Sequence, residues 1–250
     1  MSVDETLRNP KTAALLIDHT VLKPEATQED IATACVEARQ FGFTSVCVNP
    51  YWVRFAVAAL RGSGVNVCAP IGFPLGANES ATKVAEAKLA LLEGAKELDM
   101  VQNAGALRSG NLETLQDETR QLADLAHAQG GILKVILETC LLTDEEKISA
   151  CRVAVESGAD FVKTSTGFSK SGATVEGVKL LRQIVGNSAG VKAAGGIRSF
   201  ETFSAMVLAG ANRIGTSAGV EIMRELEAGA PAQAQPLPAT RVPGGHPDTY

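Results

Sequence analysis

The chain has few of the residues that build metal centres. It contains three histidines among 250 residues, and His19 is the only one near a predicted strand end, since His127 falls in a helix and His246 near the end of the chain. A catalytic zinc needs a cluster of histidine and carboxylate ligands. The sequence therefore argues against a metal-dependent enzyme, and no metal or other cofactor is predicted.

Disulfides, export and membrane insertion are also disfavoured. The five cysteines are an odd number without a C-x-x-C pair, which indicates reduced thiols within apolar segments. The first residues are acidic and lack an apolar stretch, so no secretion signal is expected, and no run approaches the length of a membrane span. We expect a soluble cytoplasmic protein without a membrane partner.

The charge balance excludes a further class of partner. The chain has 23 lysines and arginines against 28 acidic residues, a net charge of −5, whereas binding to nucleic acid requires a basic face. A small phosphorylated ligand needs only local donors and remains open. With 45% hydrophobic residues, a chain of this length can bury one large core.

Short apolar strands alternate with helical segments along most of the chain. Eight strands are predicted, at residues 15–18, 45–49, 66–71, 97–102, 133–138, 160–165, 191–194 and 213–216. This alternation indicates parallel βαβ units, and eight of them favour a closed (β/α)₈ barrel. An open dinucleotide-binding sheet lacks support, because no G-x-G-x-x-G follows an early strand.

Local signals place the ends of several helices. Thr27 with Asp30 has the spacing of a capping box, and Asn78 is a second candidate helix cap. Glycines that precede the strands suit left-handed helix C-caps; they are Gly42, Gly64, Gly94, Gly131, Gly158, Gly190 and Gly210. We predict a barrel domain over residues 1–228 and a flexible tail rich in proline and glycine over 229–250.

Two lysines occupy unusual positions. Lys163 ends an apolar strand, and Lys192 has the same kind of position in the next strand. Burial lowers the pKa of a lysine, and a second lysine nearby lowers it further, which makes the amine a nucleophile suited to a Schiff base. The alternative is that each lysine extends its amine to water from a strand end.

The strand pattern also predicts an aspartate that faces the barrel interior. Asp99 is flanked by apolar Leu98 and Met100, so it should face inward. An isolated aspartate in a strand is more often a structural hydrogen-bond acceptor, but the position of Asp99 across the barrel from two buried lysines favours a proton carrier.

Other polar residues near the strand ends have open roles. Lys134 and Glu138 form either an inner polar network or an ion pair at a strand start. Asp18 and His19 are candidates for orienting roles.

Two loops of small residues follow the last two strands. They contain Gly195, Gly196 and Arg198 after strand seven, and Gly215 and Ser217 after strand eight. Exposed amides at helix N-termini bind anions, and barrels commonly hold phosphate at this position. Arg198 either assists or is merely solvated.

Five segments together resemble the deoxyribose-phosphate aldolase family. They are residues 18–23 (DHTVLK), 97–101 (ELDMV), 161–168 (FVKTSTGF), 191–198 (VKAAGGIR) and 213–217 (RIGTS). The resemblance implies a metal-free class I aldolase that cleaves 2-deoxy-D-ribose 5-phosphate to glyceraldehyde 3-phosphate and acetaldehyde in deoxynucleoside breakdown.

The resemblance also implies residue roles. Lys163 would form the Schiff base, Lys192 would tune it and Asp99 would be the acid/base, while Gly167 joins the phosphate-binding residues. Ala218 stands where many members have a second serine, and Gln102 and Ala104 replace branched apolar residues.

Other functions remain compatible with the sequence. A phosphosugar isomerase, another Schiff-base aldolase or a non-catalytic phosphate-binding barrel is compatible with the same fold.

Tyr250 could assist proton transfer if the tail folds over the barrel mouth, or it could be an idle end. The sequence does not fix the oligomeric state, and a homodimer is compatible with it.

Overall fold

The computed structural model describes residues 3–229, in which eight parallel strands close into a barrel in sequential order. The strands are β1 (Ile17–Val21), β2 (Ser45–Val48), β3 (Asn66–Ile71), β4 (Glu97–Val101), β5 (Ile132–Ile136), β6 (Phe161–Lys163), β7 (Gly190–Ala194) and β8 (Arg213–Thr216). The predicted (β/α)₈ architecture is confirmed. The predicted tail over 229–250, with Tyr250, lies outside the described residues apart from Gly229.

Helices cover the outside of the barrel. They are α1 (Val3–Arg8), α2 (Pro10–Ala14), α3 (Gln28–Phe41), α4 (Val53–Ala59), α5 (Ser80–Leu92), α6 (Ala104–Arg108), α7 (Leu112–Ala128), α8 (Asp144–Glu156), α9 (Val175–Val185), α10 (Phe200–Leu208) and α11 (Gly219–Glu227). Two single 3₁₀ turns, Pro50–Trp52 and Thr139–Leu141, follow β2 and β5. No helix within residues 3–229 has the length and apolar character needed to cross a membrane.

Most strand bounds lie within two residues of the prediction, and the differences occur at strand ends. Leu15, predicted to begin the first strand, instead caps α2 and is exposed. Strand β6 ends at Lys163, although the Thr164 amide still donates to the Lys192 carbonyl and its hydroxyl to the Ala194 carbonyl.

The cap predictions gave mixed results. The Thr27–Asp30 capping box is present at the start of α3, but Asn78 does not cap α5. That helix begins at Ser80, whose hydroxyl donates to Glu118 of α7.

Three of the seven glycine cap predictions are wrong. Gly64 has a positive φ but lies four residues beyond Leu60, the C-cap of α4. The other two are wrong for a common reason. Gly131 and Gly190 lack the positive φ that the other five have. A Cβ at Gly190 would lie 2.2 Å from the Phe161 ring, and one at Gly131 would lie 2.4 Å from the Lys96 carbonyl oxygen. Both positions need glycine for space and not for a left-handed backbone.

Candidate active site

Asp99 lies at the centre of the barrel and binds three lysines. Its Oδ2 accepts hydrogen bonds from Lys163 Nζ at 2.7 Å and Lys192 Nζ at 2.8 Å. Its Oδ1 accepts one from Lys134 Nζ at 2.8 Å. All four side chains are buried. The structure thus brings together the two lysines and the aspartate that the sequence singled out, and it adds Lys134.

Strand register explains why these side chains meet. Asp99 pairs with Lys134 across β4 and β5, and Lys163 pairs with Lys192 across β6 and β7. Neighbours at the same level of adjacent parallel strands point to the same side of the sheet. All four therefore enter the barrel interior, while Leu98 and Met100 pack outward among the buried apolar residues.

Further charged groups lie beside this centre. Arg213 binds Asp18 at 2.7 Å and Glu97 at 3.0 Å. Lys192 binds Asp18 at 2.5 Å, and Lys134 binds Glu97 at 2.6 Å. Together these groups form what we call the inner cluster, namely Asp18, Glu97, Asp99, Lys134, Lys163, Lys192 and Arg213. Of the open alternatives for Lys134, the structure therefore favours an inner polar network.

Mutual attraction fixes the charge states of the inner cluster. Burial alone would raise the pKa of Asp99, but Lys134, Lys163 and Lys192 hold it well below its usual value. Burial would lower the pKa of Lys192, yet Asp18 and Asp99 outweigh that effect and raise it. The pKa of Lys134 is likewise raised, by Asp99 and other acidic neighbours, against the effect of burial. Asp99 is thus a carboxylate, and Lys192 and Lys134 are cations.

Two buried thiols adjoin Asp99. Cys68 Sγ donates to Asp99 Oδ1 at 3.1 Å, and the ligand-type atoms of Cys47, Cys68 and Asp99 lie within 4.8 Å of one another. Such a set could hold a thiophilic metal ion. However, both Asp99 oxygens already bind lysine ammonium groups, and these oppose the approach of a cation. The residues present therefore fit a metal ion poorly.

Lys163 lies beneath a cavity of about 620 Å³ at the carboxyl ends of the strands. The residues predicted to bind phosphate all line this cavity: Gly167, Gly195, Gly196, Gly215 and Ser217. Arg198 also lines it and is exposed. The cavity thus connects the Lys163 amine with the glycine-rich loops.

Glycine occupies these loop positions for different physical reasons. Gly195 and Gly196 have φ of 87° and 81°, which an L side chain rarely adopts. A Cβ at Gly215 would lie 3.0 Å from Lys192 Cε, so this glycine also makes room for the Lys192 side chain. After β8, the Ala218 amide donates to Thr216 Oγ1 and α11 begins at Gly219.

Other predicted residues lie apart from the lysines. Glu138 does not join Lys134, because its carboxylate binds Thr166 beyond the end of β6. His19 binds Glu37 of α3 at 2.7 Å, and Gln102 is buried with no partner for its amide group among the described residues. Ala104 begins α6. Of the two candidates on β1, Asp18 belongs to the inner cluster and His19 does not.

Arg213 and Glu97 were not singled out from the sequence. Glu97 lies two residues before Asp99, and Arg213 two residues before Gly215. The alternation that placed Asp99 inward applies to both. Their position at strand starts, opposite the expected active end, concealed their role.

A closed parallel barrel with a buried lysine below a polar cavity and glycine-rich loops is compatible with an enzyme of the aldolase class. The profile of the DeoC/LacD family aldolases matches residues 12–226, and the chain belongs to this family. The family prediction is confirmed.

Individual relatives agree with this assignment. The chain is 57% identical over 212 residues to deoxyribose-phosphate aldolase of Streptococcus sanguinis, covering 85% of this chain and 96% of that protein. It is 59% identical over 208 residues to the Brevibacillus brevis deoxyribose-phosphate aldolase, covering 83% and 93%.

Solved structures show the same barrel. A putative deoxyribose-phosphate aldolase from Coccidioides immitis superposes with a TM-score of 0.84 at 43% identity, covering 88% of this chain and 87% of that one. The tetrameric deoxyribose phosphate aldolase of Aeropyrum pernix gives 0.83 at 34% identity, covering 91% and 99%.

Proposed function

We propose that the chain catalyses the reversible cleavage of 2-deoxy-D-ribose 5-phosphate to D-glyceraldehyde 3-phosphate and acetaldehyde through a Schiff base on Lys163. The observation that carries this proposal is the position of Lys163. Of the three lysines bound to Asp99 in the described part of the chain, it alone lines the cavity. An open-chain sugar in the cavity can therefore reach this amine.

Lys163 has fewer carboxylate partners than the other bases of the inner cluster. Among residues 3–229 the inner cluster has four bases and three carboxylates, so full protonation leaves one unbalanced positive charge in a buried space. Lys192 and Arg213 each bind two carboxylates of the inner cluster, whereas Lys163 binds one. In the proposed reaction Lys163 attacks the sugar as the neutral amine.

The carbon–carbon bond breaks after this amine attacks C1 of the sugar. Loss of water gives an iminium ion, which acts as an electron sink. Asp99, directly or through a water molecule, takes the C3 hydroxyl proton as the C2–C3 bond breaks. The electron pair of that bond forms an enamine, and glyceraldehyde 3-phosphate leaves.

The second half of the reaction restores the enzyme. Protonation of the enamine at C2 regenerates an iminium ion, and its hydrolysis releases acetaldehyde and the Lys163 amine. Lys192 shares Asp99 Oδ2 with Lys163. It can therefore pass protons between Asp99 and the reacting groups while its charge disfavours a second cation at Lys163.

The phosphate group is proposed to bind the loops after β6, β7 and β8. Gly167, Gly195, Gly196, Gly215 and Ser217 line one side of the cavity. Positive φ at Gly195 and Gly196 turns successive amides in a way that suits an anion. Ala218 has no hydroxyl to offer, so the amides carry this interaction.

No metal or organic cofactor takes part in the proposed reaction. The iminium ion supplies the electron sink, and the ammonium groups on Asp99 oppose a cation there. Activity should therefore survive exhaustive chelation. A loss on chelation that added zinc restores would contradict this proposal.

The biological setting is proposed on separate grounds. All five cysteines lie within the described residues and are free, which suits a reducing compartment such as the cytoplasm. The substrate is a product of deoxynucleoside breakdown, so we place the reaction in that catabolism. The oligomeric state is open, and sedimentation would distinguish a homodimer, which the sequence allows, from a tetramer like that of the Aeropyrum pernix relative.

A turnover assay tests the proposed activity. Purified protein with 2-deoxy-D-ribose 5-phosphate should release acetaldehyde and glyceraldehyde 3-phosphate in equal amounts, and Lys163→Met should release neither. A phosphosugar isomerase would consume the sugar without releasing acetaldehyde. A non-catalytic barrel would bind the sugar without turning it over.

A further inference from the structure

Glu138 has a strained backbone next to the active site. Among the non-glycine residues of segment 3–229, it alone has a positive φ, at 55°. A residue with a side chain persists in this region only when surrounding contacts hold it there. The amides on either side of Glu138 provide two of them, because Leu137 N donates to the Lys163 carbonyl and Thr139 N to the Thr164 carbonyl.

The strained turn directs the Glu138 carboxylate onto Thr166. The carboxylate is buried and accepts from the Thr166 amide at 3.3 Å and also from the Thr166 hydroxyl. The Thr166 hydroxyl oxygen accepts in turn from the Phe168 amide at 3.0 Å. A continuous set of hydrogen bonds therefore runs from Glu138 through the chain turn at residues 166–168.

That turn faces the cavity, whereas Glu138 does not. Thr166, Gly167 and Phe168 line the cavity together with Lys163, and Glu138 is not among the lining residues of the described chain. The turn also lies close to the next loop, since a Cβ at Gly195 would lie 3.5 Å from the Gly167 Cα. Fixing Thr166 thus fixes the orientation of Gly167 beside Gly195.

We infer that Glu138 is a positioning residue for phosphate recognition. It holds the turn at 166–168 so that Gly167 presents its amide to the substrate phosphate. The left-handed backbone also keeps the carboxylate on Thr166 and away from the cavity, where its charge would repel phosphate. The inference rests on the proposed function and adds a residue that acts through Thr166.

Variants at Glu138 separate the backbone from the carboxylate. Glu138→Asn tolerates a left-handed backbone, but its side chain is too short to reach Thr166. It should lower kcat/KM for 2-deoxy-D-ribose 5-phosphate about tenfold, the effect of losing a hydrogen bond to a charged group. Unphosphorylated 2-deoxy-D-ribose should be affected less than about twofold, because it lacks the group that the turn reads.

Variants at Thr166 provide matched controls. Thr166→Val should reproduce the phosphate-specific loss, since it removes the hydroxyl that joins Glu138 to Phe168. Thr166→Ser keeps that hydroxyl and should restore the preference for the phosphorylated sugar that Thr166→Val loses. Borohydride trapping of acetaldehyde should label Lys163 equally in all variants, which shows that the nucleophile is intact.

Calorimetric binding of inorganic phosphate makes the test independent of turnover. Glu138→Asn should weaken phosphate binding about tenfold, even if the chain proves not to cleave the sugar. Equal losses for both sugars, or unchanged phosphate binding in Glu138→Asn, would overturn the positioning role. Absence of turnover in the unchanged protein would instead contradict the proposed function.

Discussion

Lys163 and Lys192 donate to the same carboxylate oxygen, Asp99 Oδ2, at 2.7 and 2.8 Å from adjacent strands of the barrel. One oxygen therefore connects the proposed nucleophile with a lysine that stays cationic. The charge of Lys192 therefore acts on Lys163 at short range, because two ammonium groups on one oxygen repel each other.

Replacing Lys192 should disable the chemistry. Lys192→Leu should lower kcat by about two to four orders of magnitude, the range for loss of a proton-transfer group. Loss of the Lys192 charge beside Lys163 should also move the pH profile of kcat. Steady-state rates between pH 5 and pH 9 check both effects.

The control for this variant is Lys96→Leu, which removes an exposed lysine outside the inner cluster. It should keep its activity and its pH profile. If Lys192→Leu behaves like this control, the tuning role is wrong.

Acid should destabilise the fold through the inner cluster. The pKa values of Asp99 and Asp18 lie below the usual value of 3.8. Carboxyl groups with a depressed pKa stabilise the fold above their unfolded pKa, and the contribution is lost as the pH falls below it. The free energy of unfolding should therefore be level near neutral pH and fall steeply below about pH 4.

Asp99→Asn should make this acid dependence shallower, by up to about 1.4 kcal/mol per pH unit for one proton. Urea unfolding at a series of pH values measures the slope. Asp124→Asn, at an exposed position of α7, should leave the slope unchanged. Equal slopes in all three proteins would mean that Asp99 is not held ionised by its lysines.

Gly196→Glu should impair phosphate recognition in particular. The new carboxylate would lie in the cavity beside the proposed phosphate site, so KM for 2-deoxy-D-ribose 5-phosphate should rise about tenfold or more. Gly196→Asn is the matched control, because asparagine tolerates the positive φ and adds no charge. An equal rise in KM for unphosphorylated 2-deoxy-D-ribose would mean that this loop does not read phosphate.

Tyr250 is predicted from the sequence alone to assist proton transfer at C2, since it lies outside the described residues. Tyr250→Phe should slow cleavage and also deuterium exchange into the methyl group of acetaldehyde, while Schiff-base formation continues. Exchange that proceeds at the original rate would make the residue an idle chain end.

The alternation of side chains along the strands predicts much of the fold and the centre of the candidate site. Side-chain alternation placed Asp99 inward, and strand ends placed Lys163 and Lys192 near each other, because one regular geometry governs all eight strands. Glu97 and Arg213 were missed although they obey the same alternation. Both residues lie at strand starts, and their long side chains still reach the barrel centre. Whether they do so depends on how neighbouring strands are staggered, which the sequence pattern does not give.

The sequence pattern does not predict the backbone geometry of single residues. The left-handed turn at Glu138 is adopted by a residue type that does not favour it, and tertiary contacts to β6 impose it. The same limit explains Gly190, which is glycine because the Phe161 ring occupies the adjacent space. Both depend on neighbours distant in the sequence.

The most direct test of the Schiff-base mechanism is reductive trapping. Incubation with acetaldehyde and borohydride, followed by peptide mapping, should place one ethyl group on Lys163 and abolish activity in proportion to labelling. Lys163→Met should remain unlabelled in the inner cluster. A label found principally on Lys192 or Lys134, or full activity after stoichiometric labelling of Lys163, would contradict the mechanism.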